Sequence, residues 1–243
     1  MLHIMTKEIN AFFNSLIAYI VILVFLVGVG LFTWVFPNTS VLDYGYSNLD
    51  TLFSLAPYVF LFLIPAITMR TFAEEKKGGT MELLMTRPLT DMQIILGKYL
   101  ASFLLVVFAI APTLVYYYSV HSLGSPVGNI DTAAVIGSYI GLLLLGAVFT
   151  SIGVFSSIIT ENQIVSFIAA VFLCFLLYDG FTSVASINVW ADYSYIISQF
   201  GIDYHYNSLS KGLIDSRNLI YFGSLITVML SLTKLVLGSR EWK

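Results

Sequence analysis

The sequence predicts an all-α integral membrane protein that crosses the bilayer six times. Of its 243 residues, 58% are hydrophobic and 10% are charged, and the mean hydropathy is +0.89. Soluble proteins, in contrast, carry about 25% charged residues. A transmembrane helix requires about 20 predominantly apolar residues. Six stretches meet this requirement, at residues 16–36, 52–69, 99–120, 133–158, 164–181 and 219–237.

These stretches are predicted to be helices rather than barrel strands. Backbone groups in lipid must satisfy their own hydrogen bonds, and the runs lack the alternating apolar pattern of barrel strands. Pro57, Pro65 and Pro112 lie inside predicted spans, where they are expected to kink the helix or loosen its hydrogen bonds. Cys174 is the only cysteine, which excludes an intrachain disulfide. We interpret residues 1–243 as a single transmembrane domain.

The distribution of Lys and Arg predicts the orientation. If the N-terminus is cytoplasmic, nine of these side chains face the cytoplasm and only Lys211 and Arg217 lie outside. Because cytoplasmic loops carry the excess of positive charge, both termini are predicted to be cytoplasmic. The outer loops are then residues 37–51, 121–132 and an extracytoplasmic segment, 182–218.

Two segments are predicted to lie at the membrane surface without crossing it. In residues 1–14, polar and apolar side chains separate onto two faces, as in an interfacial helix, which should enter the first span through an elbow. The polar face comprises His3, Lys7, Asn10 and Asn14. In the segment 182–218, an aromatic-rich face is expected to approach the membrane edge. It comprises Trp190, Tyr193, Ile197 and Phe200.

The largest predicted cytoplasmic loop, residues 70–98, holds nine of the 25 charged side chains. The second helix should continue into this loop, where Glu74 and Lys77 are spaced to pair across one turn. Gly78 and Gly79 then interrupt the helix. From pattern alone, a solvated charged loop is the simpler interpretation.

A short helix is expected after the glycines. Thr80 is placed to cap it, Glu82 lies in its first turn, and Pro88 disfavours helix at the preceding residue. Thr90 with Gln93 then matches a capping box that starts the third span. One face of the short helix should rest on the bundle, and the other is offered to the cytoplasm. The first face holds Met81, Leu84 and Met85; the second holds Glu82, Leu83, Thr86 and Arg87.

The loop also resembles a known family. The stretch EEKKGGTMELLMTRPLTDMQIILGKYLA is similar to the segment between the second and third spans of type 2 ABC exporter permeases. Its usual form is E-x-x-x-G-T-x-E-L-L-x-T-x-P followed by a G-K-x-L-A helix start. Other segments, such as LGSPVGNIDT and TENQIVSFIAAVFLC, look like those of gliding-motility-associated ABC transporter permease subunits, the GldF group. A more distant resemblance is to the permease of the nitrous-oxide-reductase maturation transporter.

The resemblance implies that the short helix is a coupling helix, which inserts into a separate cytoplasmic ATPase subunit. It implies a second permease subunit, a larger companion with an extracytoplasmic domain, a lipid environment and no nucleic-acid partner. It also implies a role in export or in mechanical work for gliding motility, in the cytoplasmic (inner) membrane of a bacterium. The residues that would form or shape the ATPase contact are Glu75, Gly78, Gly79, Thr80, Glu82, Leu83, Leu84, Arg87 and Pro88.

No catalytic residue, cofactor or metal site is predicted in this chain. It lacks the G-x-x-x-x-G-K-[ST] motif, so ATP and Mg²⁺ would bind the partner ATPase and this subunit would not be an enzyme. The three histidines are far apart in the sequence and lack a carboxylate at ligand spacing. The alternative functions are a secondary transporter not powered by ATP, which should show ionisable groups near the midplane, and a membrane-embedded enzyme.

Asp179 is predicted to reach the outer end of the fifth span, where a charge costs less than at the bilayer centre. The simpler interpretation is a solvated helix end. The alternative is a contact for substrate exit or for a partner.

Overall fold

The computed structural model describes residues 1–86, 88–187 and 192–239. These residues form helices, turns and loops, without a strand, which confirms the predicted all-α class. In this part of the chain, five helical segments are long and apolar enough to cross a membrane, and a bent helix pair gives a sixth when it is counted as one span. The number agrees with the six predicted spans.

The helices follow the order expected from the sequence, with α2, α4, α7, α9, α10 and α14 at the six predicted spans. In chain order the helices are α1 (Leu2–Phe13), α2 (Leu16–Trp34), α3 (Val41–Tyr44), α4 (Asp50–Thr68), α5 (Ala73–Lys77), α6 (Met81–Met85), α7 (Asp91–Ile110), α8 (Leu114–Leu123), α9 (Thr132–Ile159), α10 (Gln163–Phe175), α11 (Phe181–Ala185), α12 (Ser194–Ser198), α13 (Ile202–Leu209) and α14 (Ser216–Gly238).

Helix α9 is the centre of the bundle. About four-fifths of its most apolar window is buried (78%), against 17% for α14. Gly153 allows the close approach of α4, because a Cβ at this position would lie 2.0 Å from Thr68 Oγ1. The Thr68 hydroxyl donates to Ile64 O within α4 (2.9 Å), so it is held in place. Close packing of small residues is a common way for membrane helices to associate.

The three prolines in the spans have different consequences. Pro57 and Pro65 lie inside α4, which continues through both, whereas Pro112 lies in a 3₁₀ turn between α7 and α8. Proline lacks an N–H, so Pro57 leaves the carbonyl of Phe53, four residues earlier, without its helical donor. The Tyr206 hydroxyl donates to this carbonyl at 2.7 Å. A side chain from α13 thus replaces the missing backbone hydrogen bond.

Helix α13 is packed into the end of the bundle that lies away from the loop between α4 and α7. Ile202, Tyr206 and Leu209 are buried in the main hydrophobic core. Gly212, just after α13, has φ +79° and approaches α9 so closely that a Cβ would lie 2.3 Å from Ala134 Cα. The described part of the segment 182–218 is therefore anchored between helices instead of forming a separate domain. Trp190 lies outside the described residues.

Helix α1 meets the first span at a bend of 71°. Ile4 and Phe12 are its buried side chains, and α1 packs against α7. The elbow and the location of α1 at a membrane surface stay predictions. The cytoplasmic location of both termini also stays a prediction. Arg240 and Lys243, two of the charges on which it rests, lie outside the described residues.

The tyrosine that compensates for Pro57 can be tested with a double-mutant cycle. Tyr206→Phe should destabilise the protein by about 1–3 kcal/mol, because it leaves a buried carbonyl unsatisfied. In a Pro57→Ala background the alanine N–H can donate to Phe53 O, so the same substitution should cost clearly less. Thermal unfolding of the detergent-solubilised protein measures both effects. Equal costs in the two backgrounds would contradict the compensation.

Candidate functional site

The loop between α4 and α7 is built as a helix, a glycine turn, a second short helix and a restart. Helix α5 ends at Lys77, Gly78 forms its C-cap, and Gly79 has φ +66°. That backbone conformation is easily adopted only by glycine. The predicted interruption at Gly78 and Gly79 is confirmed, and these residues form the joint between α5 and α6.

Helix α6 presents two different faces. Leu83 is 67% exposed, and Glu82 and Thr86 beside it are also exposed. Met81 and Leu84 are partly buried against a second, smaller hydrophobic cluster. The predicted division of faces is therefore confirmed for these five residues. The side chain of Met85 and all of Arg87 lie outside what the structure describes.

Thr80 does not cap α6 with its side chain, so that prediction is wrong. It occupies the N-cap position, but its backbone is helical (φ −88°, ψ −6°). Side-chain capping needs an extended backbone, which directs the hydroxyl oxygen towards the first free N–H groups. The Thr80 hydroxyl instead donates over 3.4 Å to Glu75 O, at α5.

The start of α7 is confirmed in detail. The Gln93 N–H donates to Thr90 Oγ1 (3.3 Å), and the Thr90 N–H donates to Gln93 Oε1 (3.2 Å). Both hydrogen bonds of the predicted capping box are present, since the Thr90 backbone is extended. Pro88, which lies between α6 and α7, is exposed.

A groove of about 590 Å³ separates α6 from the first turns of α1. Its walls are mainly apolar, and two oppositely charged side chains lie at one side. The apolar lining includes Ile4, Leu83, Leu84, Pro88 and Leu89, and the charged pair is Lys7 and Glu75. The exposed leucine of α6 therefore stands at the edge of a depression rather than on a flat surface.

Lys98 is the residue of this region that sequence reasoning missed. Lys98 is one of the nine charged side chains of the predicted cytoplasmic loop, residues 70–98, but its side chain is completely buried. Its Nζ lies 2.8 Å from Glu8 Oε1 and 3.0 Å from Glu75 Oε2; the second is an ion pair without hydrogen-bond geometry. It also donates to Thr71 O at 2.5 Å. A sequence signal for its burial existed, since this lysine follows an apolar run and lies about two turns inside α7.

Glu75 is turned inwards, with only 12% of its side chain exposed. In addition to its ion pair with Lys98, Glu75 accepts a hydrogen bond from Lys7 Nζ at Oε1 (2.8 Å). Burial alone would lower the pKa of Lys7, but the hydrogen bond and charge of Glu75, together with Glu8, outweigh it and raise this pKa. Of the contact residues inferred from the resemblance, Glu75 therefore shapes the loop from within.

The other carboxylate of α5 makes a different pair from the one expected. Glu74 pairs with Arg70 at 3.0 Å, across one helical turn, rather than with Lys77. Arg70 precedes α5, so the pair joins the turn after α4 to the short helix. The same Arg70 side chain donates to Ser15 Oγ, at the bend between α1 and α2 (3.0 Å).

Gly97, next to Lys98, allows α1 to approach α7. A Cβ at this position would lie 3.1 Å from Ile4 Cβ and 3.2 Å from Met1 O. These separations are shorter than ordinary van der Waals contact, so a larger residue would push α1 away. The Gly-Lys pair of the G-K-x-L-A pattern thus has two structural roles. Gly97 makes room for α1, and Lys98 binds the carboxylate of Glu8 in α1.

On the opposite side of the loop, α5 is attached to the end of α9. The N–H groups of Phe72 and Ala73 donate to Ser157 Oγ at 3.0 and 3.1 Å. The Lys76 ammonium group donates to Ile158 O. The base of the loop is therefore held between α9 on one side and α1 with α7 on the other.

Asp179 lies at the opposite end of the molecule, in a π-helical turn over Leu176–Gly180. Its side chain is half-buried and accepts a hydrogen bond from Ser183 Oγ (3.2 Å), so it is not a freely solvated helix end.

The pKa of Asp203 in α13 is raised, mainly because the carboxyl group is buried. A hydrogen bond from Tyr178 lowers this pKa, and the charge of Asp179 raises it further.

The fold and the loop define a multi-pass α-helical membrane protein that carries a hinged helix at one face. Residues 3–237, nearly the whole chain, match the family described as ABC-2 family transporter protein. The chain belongs to this family and is a permease subunit of an ABC transporter; membership implies a cytoplasmic ATPase as its partner. No curated protein matches the chain.

The different roles of the two threonines can be tested by alanine substitution. Thr90→Ala should lower the free energy of unfolding by about 1 kcal/mol, because it removes a capping box. Thr80→Ala should cost much less, because this hydroxyl makes only a long hydrogen bond to α5. Thermal unfolding in one detergent compares the two variants. A larger loss for Thr80→Ala would contradict the absence of a side-chain cap.

The raised pKa of Asp203 predicts a pH dependence. The folded protein holds this proton more readily than the unfolded chain, so stability should be lost as pH rises from the usual Asp range, about 3.9, through the raised pKa. Asp203→Asn keeps a partner for Tyr178 and does not titrate. The difference in unfolding temperature between Asp203→Asn and the wild type should therefore shift in favour of the variant as pH rises. Asp179→Asn should reduce this pH dependence, because it removes a charge that raises the pKa of Asp203. A difference between the wild type and Asp203→Asn that does not change with pH would exclude the titration of Asp203 as its cause.

Proposed function

We propose that this subunit is a non-catalytic half of an ATP-driven complex, in which α6 is the coupling helix. It inserts into a cleft of a separate ATPase, which binds ATP and Mg²⁺, and transmits the closure of that ATPase to the spans. In this proposal α6 and both termini are cytoplasmic. A second permease subunit completes the transmembrane part, because six spans make half of the usual transporter core.

The observation that carries the proposal is the exposure of Leu83 within a family that works with an ATPase. An apolar side chain surrounded by the exposed Glu82 and Thr86 has the character of an interface anchor, since anchors lie at the centre of an interface within a polar rim. The hinge at Gly78 and Gly79 gives α6 freedom to move relative to α5. The groove next to Leu83 offers further apolar surface to the same partner.

We further propose that the complex works in the cytoplasmic membrane of a bacterium and takes part in gliding motility. The support is the resemblance of several segments to the gliding-associated permease subunits. The companion permease would carry a large extracytoplasmic domain, and the complex would do mechanical work on it or export a substrate. Mechanical work is favoured because ionisable residues, which mark polar pathways through membranes, are scarce in the spans. Asp179 is a candidate contact for the companion.

The coupling-helix assignment predicts that Leu83→Glu releases the ATPase. Loss of an interface anchor costs about 2 kcal/mol or more, so recovery of the ATPase should fall roughly tenfold or more. The tagged subunit is extracted gently from its native host, and proteins that co-purify are identified by mass spectrometry. ATPase activity is measured on the same preparations.

Leu213→Glu is a matched control, because Leu213 is 64% exposed and lies in the loop between α13 and α14. It should retain the ATPase at the wild-type level. Equal recovery with Leu83→Glu would exclude α6 as the contact. Recovery of no nucleotide-binding protein with the wild type in several mild detergents would instead support a secondary transporter.

A further inference from the structure

Lys98 is a buried cation that the ATPase contact does not use. Its ammonium group lies among Glu8 of α1, Glu75 of α5 and Thr71 O in the turn between α4 and α5, with the Phe72 ring centroid at 5.0 Å. Lys98 itself belongs to α7. One side chain therefore makes contact with three other parts of the chain, and two of its partners are charged.

The contacts form an alternating row of charges that crosses the base of the loop. Lys7 pairs with Glu75, Glu75 with Lys98, and Lys98 with Glu8. Glu8 in turn lies 3.8 Å from Lys7, which closes the row into a ring of four. A buried ammonium group without any carboxylate partner is strongly disfavoured, so Lys98 should keep its contacts with Glu8 and Glu75 while the loop moves. The ring should move as a unit or stay in place as a unit.

The neighbouring contacts show why such a ring matters for α6. The joint at Gly78 and Gly79 separates α6 from α5, and the backbone there is permissive. The part of a displacement of α6 that passes this joint would be lost in rotation of α5 unless α5 is linked to other helices. The ring fixes Glu75, in the middle of α5, to α1 and α7, and the Arg70–Ser15 hydrogen bond provides a second link to the bend at the end of α1.

We infer that Lys98 is a positioning residue for coupling, which makes α5 and α1 a single mechanical unit. Movement of α6 is then delivered to α1, and through its bend to the first span, as well as to α7. This inference rests on the proposed function, because it assumes that the ATPase moves α6. It adds the receiving element: α1 is driven by the loop instead of only lying beside the bundle.

The test measures two distances by electron paramagnetic resonance in the complex of this subunit with the ATPase that co-purifies. Cys174 is the only cysteine, so Cys174→Ala gives a background for nitroxide labels. One label pair joins Thr6 in α1 to Lys77 in α5, within the inferred unit. The other joins Lys77 to Glu161 in the turn after α9, outside it. Ser157 of α9 holds only the first residues of α5, so α5 can pivot there when the contact between Lys76 and Ile158 O is released. Each pair is measured without nucleotide and with ATP and vanadate.

In the wild type, nucleotide should shift the Lys77–Glu161 distance and leave the Thr6–Lys77 distance unchanged. In Lys98→Met the Thr6–Lys77 distribution should lose its single narrow peak and should respond to nucleotide, while the ATPase stays bound. Glu8→Gln removes only the α1 partner and leaves Glu75 to neutralise Lys98, so it remains informative if Lys98→Met does not fold. The double variant should be no worse than Lys98→Met, because both act through one contact.

Glu74→Gln is the control, since it breaks the exposed Arg70–Glu74 pair of the same loop and should leave both distances as in the wild type. A Thr6–Lys77 distance that shifts with nucleotide in the wild type would overturn the inference. So would wild-type behaviour of both Lys98→Met and Glu8→Gln. If nucleotide leaves the Lys77–Glu161 distance unchanged, the proposed function fails and the inference fails with it.

Discussion

The half of this protein that carries the loop between α4 and α7 depends on the burial of one positive charge. An ammonium group in an apolar environment requires oppositely charged partners and hydrogen-bond acceptors at close range, or the folded state loses several kcal/mol. Lys98 finds two carboxylates and a carbonyl at 2.5–3.0 Å, and these come from α1, α5 and the turn before α5. The position of each of these elements is thereby determined relative to α7. Gly97 is part of the same arrangement, since α1 could not bring Glu8 to the lysine if a side chain stood in its path.

The loop that starts from this fixed base becomes progressively less constrained towards its tip. Helix α5 is attached on one side to Ser157 of α9 and on the other to Lys98, whereas α6 is connected to it by glycines and rests on the bundle through Met81 and Leu84. The loop therefore combines a base that is bonded to the transmembrane helices with a tip that is free to contact a partner. A uniformly flexible loop would absorb the displacement, and a uniformly packed loop would have no surface to offer.

The fold and the outline of the loop were predictable from the sequence because they depend on local patterns. Apolar length defined the spans, and the Thr90 capping box and the Gly78–Gly79 break each act within four residues. Thr80 was predicted wrongly because its backbone conformation is set by α5, not by its own propensity. The Lys98 cluster could not be predicted at all, since Glu8 and Glu75 are distant in sequence and nothing local indicates their meeting. Similarly, Glu74 had two partners at suitable spacing, Arg70 and Lys77, and the choice between them depends on tertiary structure.

Helix α4 connects the end of the molecule that contains α13 to the end that contains the charged ring around Lys98. Its C-terminal end leads directly into Thr71 and the charged ring, while its N-terminal half contains Pro57, which frees the Phe53 carbonyl for Tyr206 of α13. Without Tyr206 this half of α4 would lack a buried hydrogen bond. Helices α4 and α13 are therefore joined by a hydrogen bond as well as by packing. Helix α4 therefore joins the loop to α13 by one continuous backbone. Such a connection is compatible with the mechanical output proposed for the complex, because it needs no polar pathway across the bilayer.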